Sequence, residues 1–216
     1  MIFGKIEYLN LLPFHVFMKR FSRSSQAKAI MNYKKNVPAK INNTFHNRRV
    51  DAAFISSIAA QRYKNVNLGI IAKKEVQSVL VIPSRNNKND IESASSNILA
   101  KILHQNGEVL IGDKALRYAL AHDNYVDLAQ LWHKKQNLPF VFALLCYHKD
   151  KKVYKSIEKV FLKKEQKIPM YLLKVAAKRT GVKPQDIKTY LQLISYRLDA
   201  KAKLGLKKFY KEAKKI

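Results

Sequence analysis

The sequence predicts an α/β chain built as two lobes. Apolar runs of strand length alternate with short helical stretches, the pattern of βαβ units with parallel strands. Two shifts in composition, near residues 75–90 and near residue 147, divide the chain. Small polar residues stand at the ends of several apolar runs, where open α/β sheets place their ligands. At 216 residues and 47% hydrophobic content, the chain can bury a substantial core.

Residues 2–9 read as a first strand, turning at Leu11–Pro13 into a helix over Phe14–Arg20. Ala29–Tyr33 reads as a second strand. Val37-Pro38 opens a helix with Ile41 and Phe45 on one face, Pro sitting where its missing N–H costs little. Val50–Ile55 reads as a buried strand ending in Ser56-Ser57, and Ile58–Tyr63 as a short helix. Leu68–Ala72 and Val76–Ile82 read as strands, the latter interrupted by Gln77-Ser78. The turn-rich stretch Pro83–Asp90 is the expected exit to the second lobe. A helix follows from Ser93–Ser96, with Gly107 as its C′ residue. Glu108–Ile111 is a strand, and Asp113 caps a helix over Lys114–Ala121. Leu128, Leu131 and Trp132 form a helical face, and Phe140–Tyr147 is an apolar strand. Beyond Lys149 the pattern is basic amphipathic helix, with stripes at Val153, Ile157, Val160, Phe161 and at Ile187, Leu191, Ile194, Leu198. The first lobe is therefore expected over residues 1–75 and 147–216, and the second over 76–146, with a ligand cleft between them.

The chain carries 42 Lys and Arg against 15 Asp and Glu, a formal charge of +27. Such a surface attracts small anions, nucleic acid and anionic lipid alike, and its plainest form is a solvated basic face. No apolar run approaches the roughly 20 residues of a membrane span, and the N-terminus lacks the features of a secretory signal. The single cysteine, Cys146, fits a reducing compartment and reads as a buried, inert thiol. The six histidines show no metal-binding spacing. GxGxxG, P-loop and GxSxG motifs are absent. Ala177–Ile187 has the Ala-x-x-x-Gly turn of a helix-turn-helix, although Gly181 and Pro184 equally suit an ordinary helical hairpin.

The recurring feature is the small polar group at a strand end: Asn10, Ser56, Ser57, Ser78 and Gly112-Asp113. Ser95 and Ser96 stand at a helix start instead. Hydroxyls and unpaired N–H groups in such places bind carboxylates without a charged side chain. Asp113 reads as a cap more readily than as a general base.

The ordered set Tyr8-Leu9-Asn10-x-Leu-Pro, Val50–Ser57, Val76-Gln77-Ser78-Val79-Leu80, Ile111–Leu116, Trp132, Leu138–Ala143 and Tyr190–Tyr210 resembles the chorismate dehydratases of the futalosine route to menaquinone. The resemblance spans nearly the whole chain, with Glu7 as a local departure where a small hydroxyl is more usual. It implies a two-lobed periplasmic-binding-protein-like (type II) fold with a helical C-terminal segment on the first lobe. It also implies a cytoplasmic hydro-lyase that uses no metal or organic cofactor. The partner would be a small anionic substrate, chorismate, with no membrane and no nucleic acid. Asn10 and Ser78 would be the catalytic groups, with Tyr8, Ser56, Ser57, Gln77, Ser95, Ser96 and Asp113 binding substrate. A non-catalytic binding protein for a small carboxylate, and a DNA-binding regulator using Ala177–Ile187, are the competing readings.

Overall fold

The structure is a computed structural model describing residues 1–21 and 32–216. Strand β1 (Ile2–Lys5) ends early. Leu9–Leu11 form a 3-10 turn rather than strand, and α1 runs over Leu12–Phe21 with Pro13 in its first turn. Strand β2 (Asn32–Lys35) pairs parallel to β1, while residues 29–31 of the expected strand lie outside the described residues. Helix α2 (Pro38–His46) has Pro near its N-terminus and buries Ile41 and Phe45, as its spacing requires. The buried strand β3 (Ala52–Ser56) leads into the single turn α3 (Ser57–Ala60), and β4 follows (Asn65–Ala72).

Lys73–Ser78 carries the chain into a second sheet. Strand β5 (Val79–Ile82) precedes α4 (Ala94–Ile102), β6 (Glu108–Ile111), α5 (Gly112–Ala121), β7 (Val126–Asp127) and α6 (Leu128–Gln136). Strand β8 (Phe140–Tyr147) then returns to the first sheet. The C-terminal segment holds α7 (Lys151–Lys163), α8 (Met170–Thr180), α9 (Pro184–Gln192), β9 (Ile194–Arg197) and α10 (Ala200–Ala213), the last capped by Asp199. The first sheet runs β2-β1-β3-β8-β4-β9 and the second β6-β5-β7.

Among the described strands, only the β2-β1-β3 part pairs in parallel. Strand β8 runs antiparallel to β3 and β4, β9 antiparallel to β4, and the second sheet is antiparallel throughout. The expectation of parallel βαβ units therefore holds for one edge. Strand β8 breaks the pattern because the chain comes back from the second sheet and enters the first from the opposite end. Its membership of the first sheet also puts the return before Phe140, ahead of the boundary at 146/147. Pro83–Asp90 does not cross between lobes. It stays on the second sheet, where Lys88 bridges to Glu108 by backbone and side chain.

Three helix expectations differ in the structure. In α7 the inward stripe is Tyr154, Ile157 and Phe161, with Val153 and Val160 exposed. The stripe from Ile187 to Leu198 is not one helix, because Ile194 opens the edge strand β9. Gly107 does not end α4, which gives way at Leu103, with His104 left-handed after it. The core groups Phe14 with Phe3, Phe54 and Phe161, and Trp132 with Phe140 and Phe209. Gly205 of α10 rides directly on the strand end, since a Cβ there would lie 2.1 Å from the Pro139 carbonyl oxygen.

Candidate active site

A cavity of ≈ 70 Å³ lies between the two sheets. The first lobe contributes Tyr8, Asn10, Leu11, Phe54, Ser56 and Phe142 to its wall. The second contributes Val76, Ser78, Val79, Ser93, Ser96, Ile111 and Gly112. No Lys, Arg, Asp or Glu side chain is among the residues lining it. Larger grooves lie elsewhere. One of ≈ 620 Å³ runs between the α7–α8 connection and α9–β9, but it holds none of the strand-end polar groups.

Five of the expected residues thus come together: Tyr8, Asn10, Ser56, Ser78 and Ser96. Asn10 sits in the 3-10 turn that replaces the end of the expected strand, and its carbonyl oxygen accepts from the Tyr196 hydroxyl at 2.7 Å. Ser56 ends β3, and Ser78 precedes β5. Ser96 lies in the first turn of α4, behind the cap residue Ser93.

The other four are placed differently. Ser57 and Ser95 are buried together, Oγ to Oγ at 3.0 Å, and Ser95 also accepts from the Ile58 N–H. They join the lobes behind the cavity. Gln77 takes a left-handed backbone (φ +56°) that turns its neighbour Ser78 inward, while Gln77 itself faces another groove beside Glu75 and Tyr125. Asp113 does not cap α5. Its carboxylate reaches across the lobes, accepting from Leu9 N–H at 2.9 Å and pairing with Arg179 at 3.1 Å. Burial raises the Asp113 carboxyl above its usual value, and those two partners pull against it. Arg179 is thereby engaged within the fold, and Ala177–Ile187 forms a hairpin with Gly181 left-handed at the end of α8 and Pro184 opening α9. Glu7, the local departure, points away from the cavity to Lys5 and Lys35, and these lysines outweigh its partial burial to keep its carboxyl below the ordinary value.

Three neighbours fix how the cavity serines present themselves. The Ser56 N–H donates to Asn42 Oδ1 at 3.2 Å, which leaves the Asn42 amide nitrogen to donate to Ser56 Oγ at 2.8 Å. The Ser96 N–H occupies Ser93 Oγ, so the Ser93 hydroxyl donates to Ser96 Oγ at 2.8 Å. Tyr190 donates to Ser78 Oγ at 2.9 Å. Ser56, Ser78 and Ser96 therefore each already accept a hydrogen bond and keep their own proton to offer, while Ser93 spends its proton on Ser96. Neither Asn42, 14 positions from Ser56, nor Tyr190, 112 positions from Ser78, stands at a spacing that marks it as a serine's partner in the sequence. On the rim, Tyr8 packs against Gly112. That glycine has φ +68°, and a Cβ on it would lie 2.7 Å from the phenol ring, so the contact needs glycine. Buried hydroxyl donors converging on an uncharged cavity suit a carboxylate-bearing ligand, whose charge is met by oriented dipoles. Among the described residues no cluster of three or more metal-ligating side chains occurs.

The family model for menaquinone biosynthesis matches residues 1–107 and 84–215. A chorismate dehydratase of Campylobacter jejuni is 47% identical over 220 residues, covering 100% of this chain and 99% of that protein. Among solved structures, a protein of Archaeoglobus fulgidus aligns with a TM-score of 0.70 at 13% identity, covering 99% of this chain and 96% of its own. A Candida albicans protein described as having the generic periplasmic binding protein fold aligns at 0.56 with 11% identity, over 100% of this chain and 90% of its own. The two structures carry the fold alone, which is the two-lobed α/β architecture expected from the sequence. The full-length match of sequence carries more: the chain belongs to the menaquinone-biosynthesis family, and its fold is periplasmic-binding-protein-like.

Proposed function

We infer that this protein is a chorismate dehydratase, a hydro-lyase converting chorismate to 3-[(1-carboxyvinyl)oxy]benzoate and water for menaquinone biosynthesis. The observation that carries the reading is the 47% identity to the Campylobacter jejuni enzyme across the whole of both chains. The cavity supports it, because a dianion entering a space without charged walls needs the neutral donors that Ser56, Ser78, Ser96 and Asn10 supply. A cavity of ≈ 70 Å³ is smaller than typical ligand sites of about 300 Å³ or more, so entry requires the lobes to part and closure to follow.

The reaction removes the proton from the ring carbon bearing the ether and hydroxide from the neighbouring carbon, and the new double bond completes an aromatic ring. Among the described residues no carboxylate or imidazole lines the cavity, which leaves the substrate's own enolpyruvyl carboxylate to take the proton. Asn10 and Ser78 orient that carboxylate. The Ser56 hydroxyl, polarised by Asn42, hydrogen-bonds the departing hydroxide, which leaves as water once it recovers the proton. Tyr8 and Ser96 complete the wall around the ring. A cytoplasmic location fits this role, and no helix among the described residues is long and apolar enough to cross a membrane.

The test is direct. Purified protein is mixed with chorismate, loss of the diene absorbance is followed, and the product mass is read. Conversion with the mass of one water lost is expected. Absence of conversion at high enzyme concentration overturns the reading.

A further inference from the structure

Tyr190 lies on α9, 112 positions from Ser78 in the chain, and is only 2% exposed. Its hydroxyl bonds Ser78 Oγ at 2.9 Å, and the Asn10 side chain lies close enough to favour the ionised form of the same phenol. One phenol thus joins the two residues that orient the substrate carboxylate in the reading above.

The direction of these bonds follows from acidity. A phenol is a far stronger acid than an aliphatic hydroxyl, so Tyr190 donates and Ser78 accepts. Burial, which outweighs the hydrogen bonds from Ser78 and Asn10, holds the phenol far above its ordinary ionisation range, and its one proton stays in place. Having given that proton to Ser78, the Tyr190 oxygen can only accept. The Asn10 side chain can meet that oxygen only through its amide N–H. Two hydrogens remain unused: the hydroxyl proton of Ser78 and the second N–H of Asn10. Both residues line the cavity. Without the phenol, the serine hydroxyl is free to rotate and the amide free to flip, and either change turns a lone pair toward an incoming carboxylate.

We propose that Tyr190 is a positioning residue for the dehydration, setting the hydrogen-bond polarity of Ser78 and Asn10 so that both present donors to the substrate carboxylate. The proposal rests on the chorismate dehydratase reading and adds a residue to it. Tyr190→Phe keeps the ring and removes only the hydroxyl. Its kcat on chorismate is expected to fall by about tenfold or more, the scale of a lost oriented donor, with KM changing by less than about threefold. Added to Ser78→Ala, it is expected to cost only a few-fold more, because the group it orients is already gone. Tyr154, an equally buried tyrosine bonded to Met1 Sδ on α7, serves as the control. Tyr154→Phe removes a buried hydroxyl far from Asn10 in the hydrogen-bond network and is expected to keep kcat. A Tyr190→Phe enzyme with wild-type kcat overturns the proposal. So do penalties that multiply fully with Ser78→Ala, or an equal loss in Tyr154→Phe. A wild-type protein that leaves chorismate unchanged overturns the function itself, which keeps the two failures distinct.

Discussion

The Tyr8 hydroxyl donates to Glu92 Oε2 at 2.5 Å, tying the loop after β1 to the second lobe across the cavity. Glu92 stands 3.6 Å from Lys114, which pairs with the buried Asp90 at 2.8 Å. Burial first, and the Glu92 carboxylate second, hold the Tyr8 phenol far above its usual ionisation range, so it remains a donor. A bond of this charge-assisted kind contributes roughly 1.5–3 kcal/mol. Because it exists only when the lobes meet, Tyr8→Phe is expected to raise KM for chorismate several-fold while kcat changes little. Steady-state kinetics with an unchanged KM would remove the closure role.

Asn10 and Ser78 are where the chemistry is expected to be most sensitive. Asn10→Ala and Ser78→Ala should each lower kcat by about a hundredfold, the range for a lost positioning or oriented donor group. Cooperative thermal unfolding is expected to persist in both. Full activity in both folded variants would show that neither positions the reacting group.

Asp127 ties the segment that enters the second sheet to the start of α6. One carboxylate oxygen accepts from the N–H groups of Val76 and Gln77, at 2.9 and 2.7 Å. The other accepts from Ala129 and Gln130, at 2.9 and 3.0 Å, capping α6. Burial raises its carboxyl, and the four N–H groups oppose that. Asp127→Asn would turn an amide NH2 toward two backbone donors, with an expected loss of about 2–4 kcal/mol in urea unfolding. Ser78 follows directly on this clamp, so kcat is expected to fall as well. Unchanged stability would show that the clamp contributes nothing.

His15 sets a pH dependence of stability. Burial lowers its pKa from 6.5 to about 4, against the opposing effect of the Ile6 carbonyl it bonds at 2.8 Å. The native state therefore keeps His15 neutral while the unfolded chain takes up a proton. Stability from this group is fully present above pH 6.5 and is lost as pH falls from there through about 4. The full loss is roughly 3 kcal/mol. His15→Gln should flatten this part of the pH profile of unfolding free energy. A profile with the same slope in wild type and variant would assign the dependence to other groups.

The charge of +27 acts at a distance, because the cavity wall carries no ionic side chain. Such a field steers a dianion toward the protein and is screened by salt over about 8 Å at physiological ionic strength. Raising the salt from low to about half-molar should lower kcat/KM for chorismate several-fold and leave kcat unchanged. If kcat/KM proves independent of salt, the basic surface does not serve substrate capture.

Much of the architecture was legible because it is written locally. Pro38 at the start of α2, Gly181 and Pro184 around the α8–α9 turn, and the buried run Ala52–Ser56 are set by residues within a turn or a strand of one another. The strand-end polar groups were legible for the same reason, and five of the nine candidate site residues line the cavity. The misreadings share a cause. Asp113 looked like a cap because a carboxylate near a helix start has that use, yet its partner Leu9 lies 104 positions away. Ser57 and Ser95 read as ligand groups in the sequence, and in the structure their hydroxyls bond each other.

The ordered string of motifs along this chain was enough to place it in its family, and its alternating apolar runs were enough for the α/β class. Both depend on neighbours in sequence, where backbone preference and side-chain periodicity leave a visible trace. The direction of β8, the Tyr8–Glu92 and Asp113–Leu9 ties, and the hold of Tyr190 on Ser78 arise when distant segments meet. A hydrogen bond between residues a hundred positions apart has no period and no spacing. It follows from packing the two sheets against one cavity, where each buried hydroxyl must find a partner.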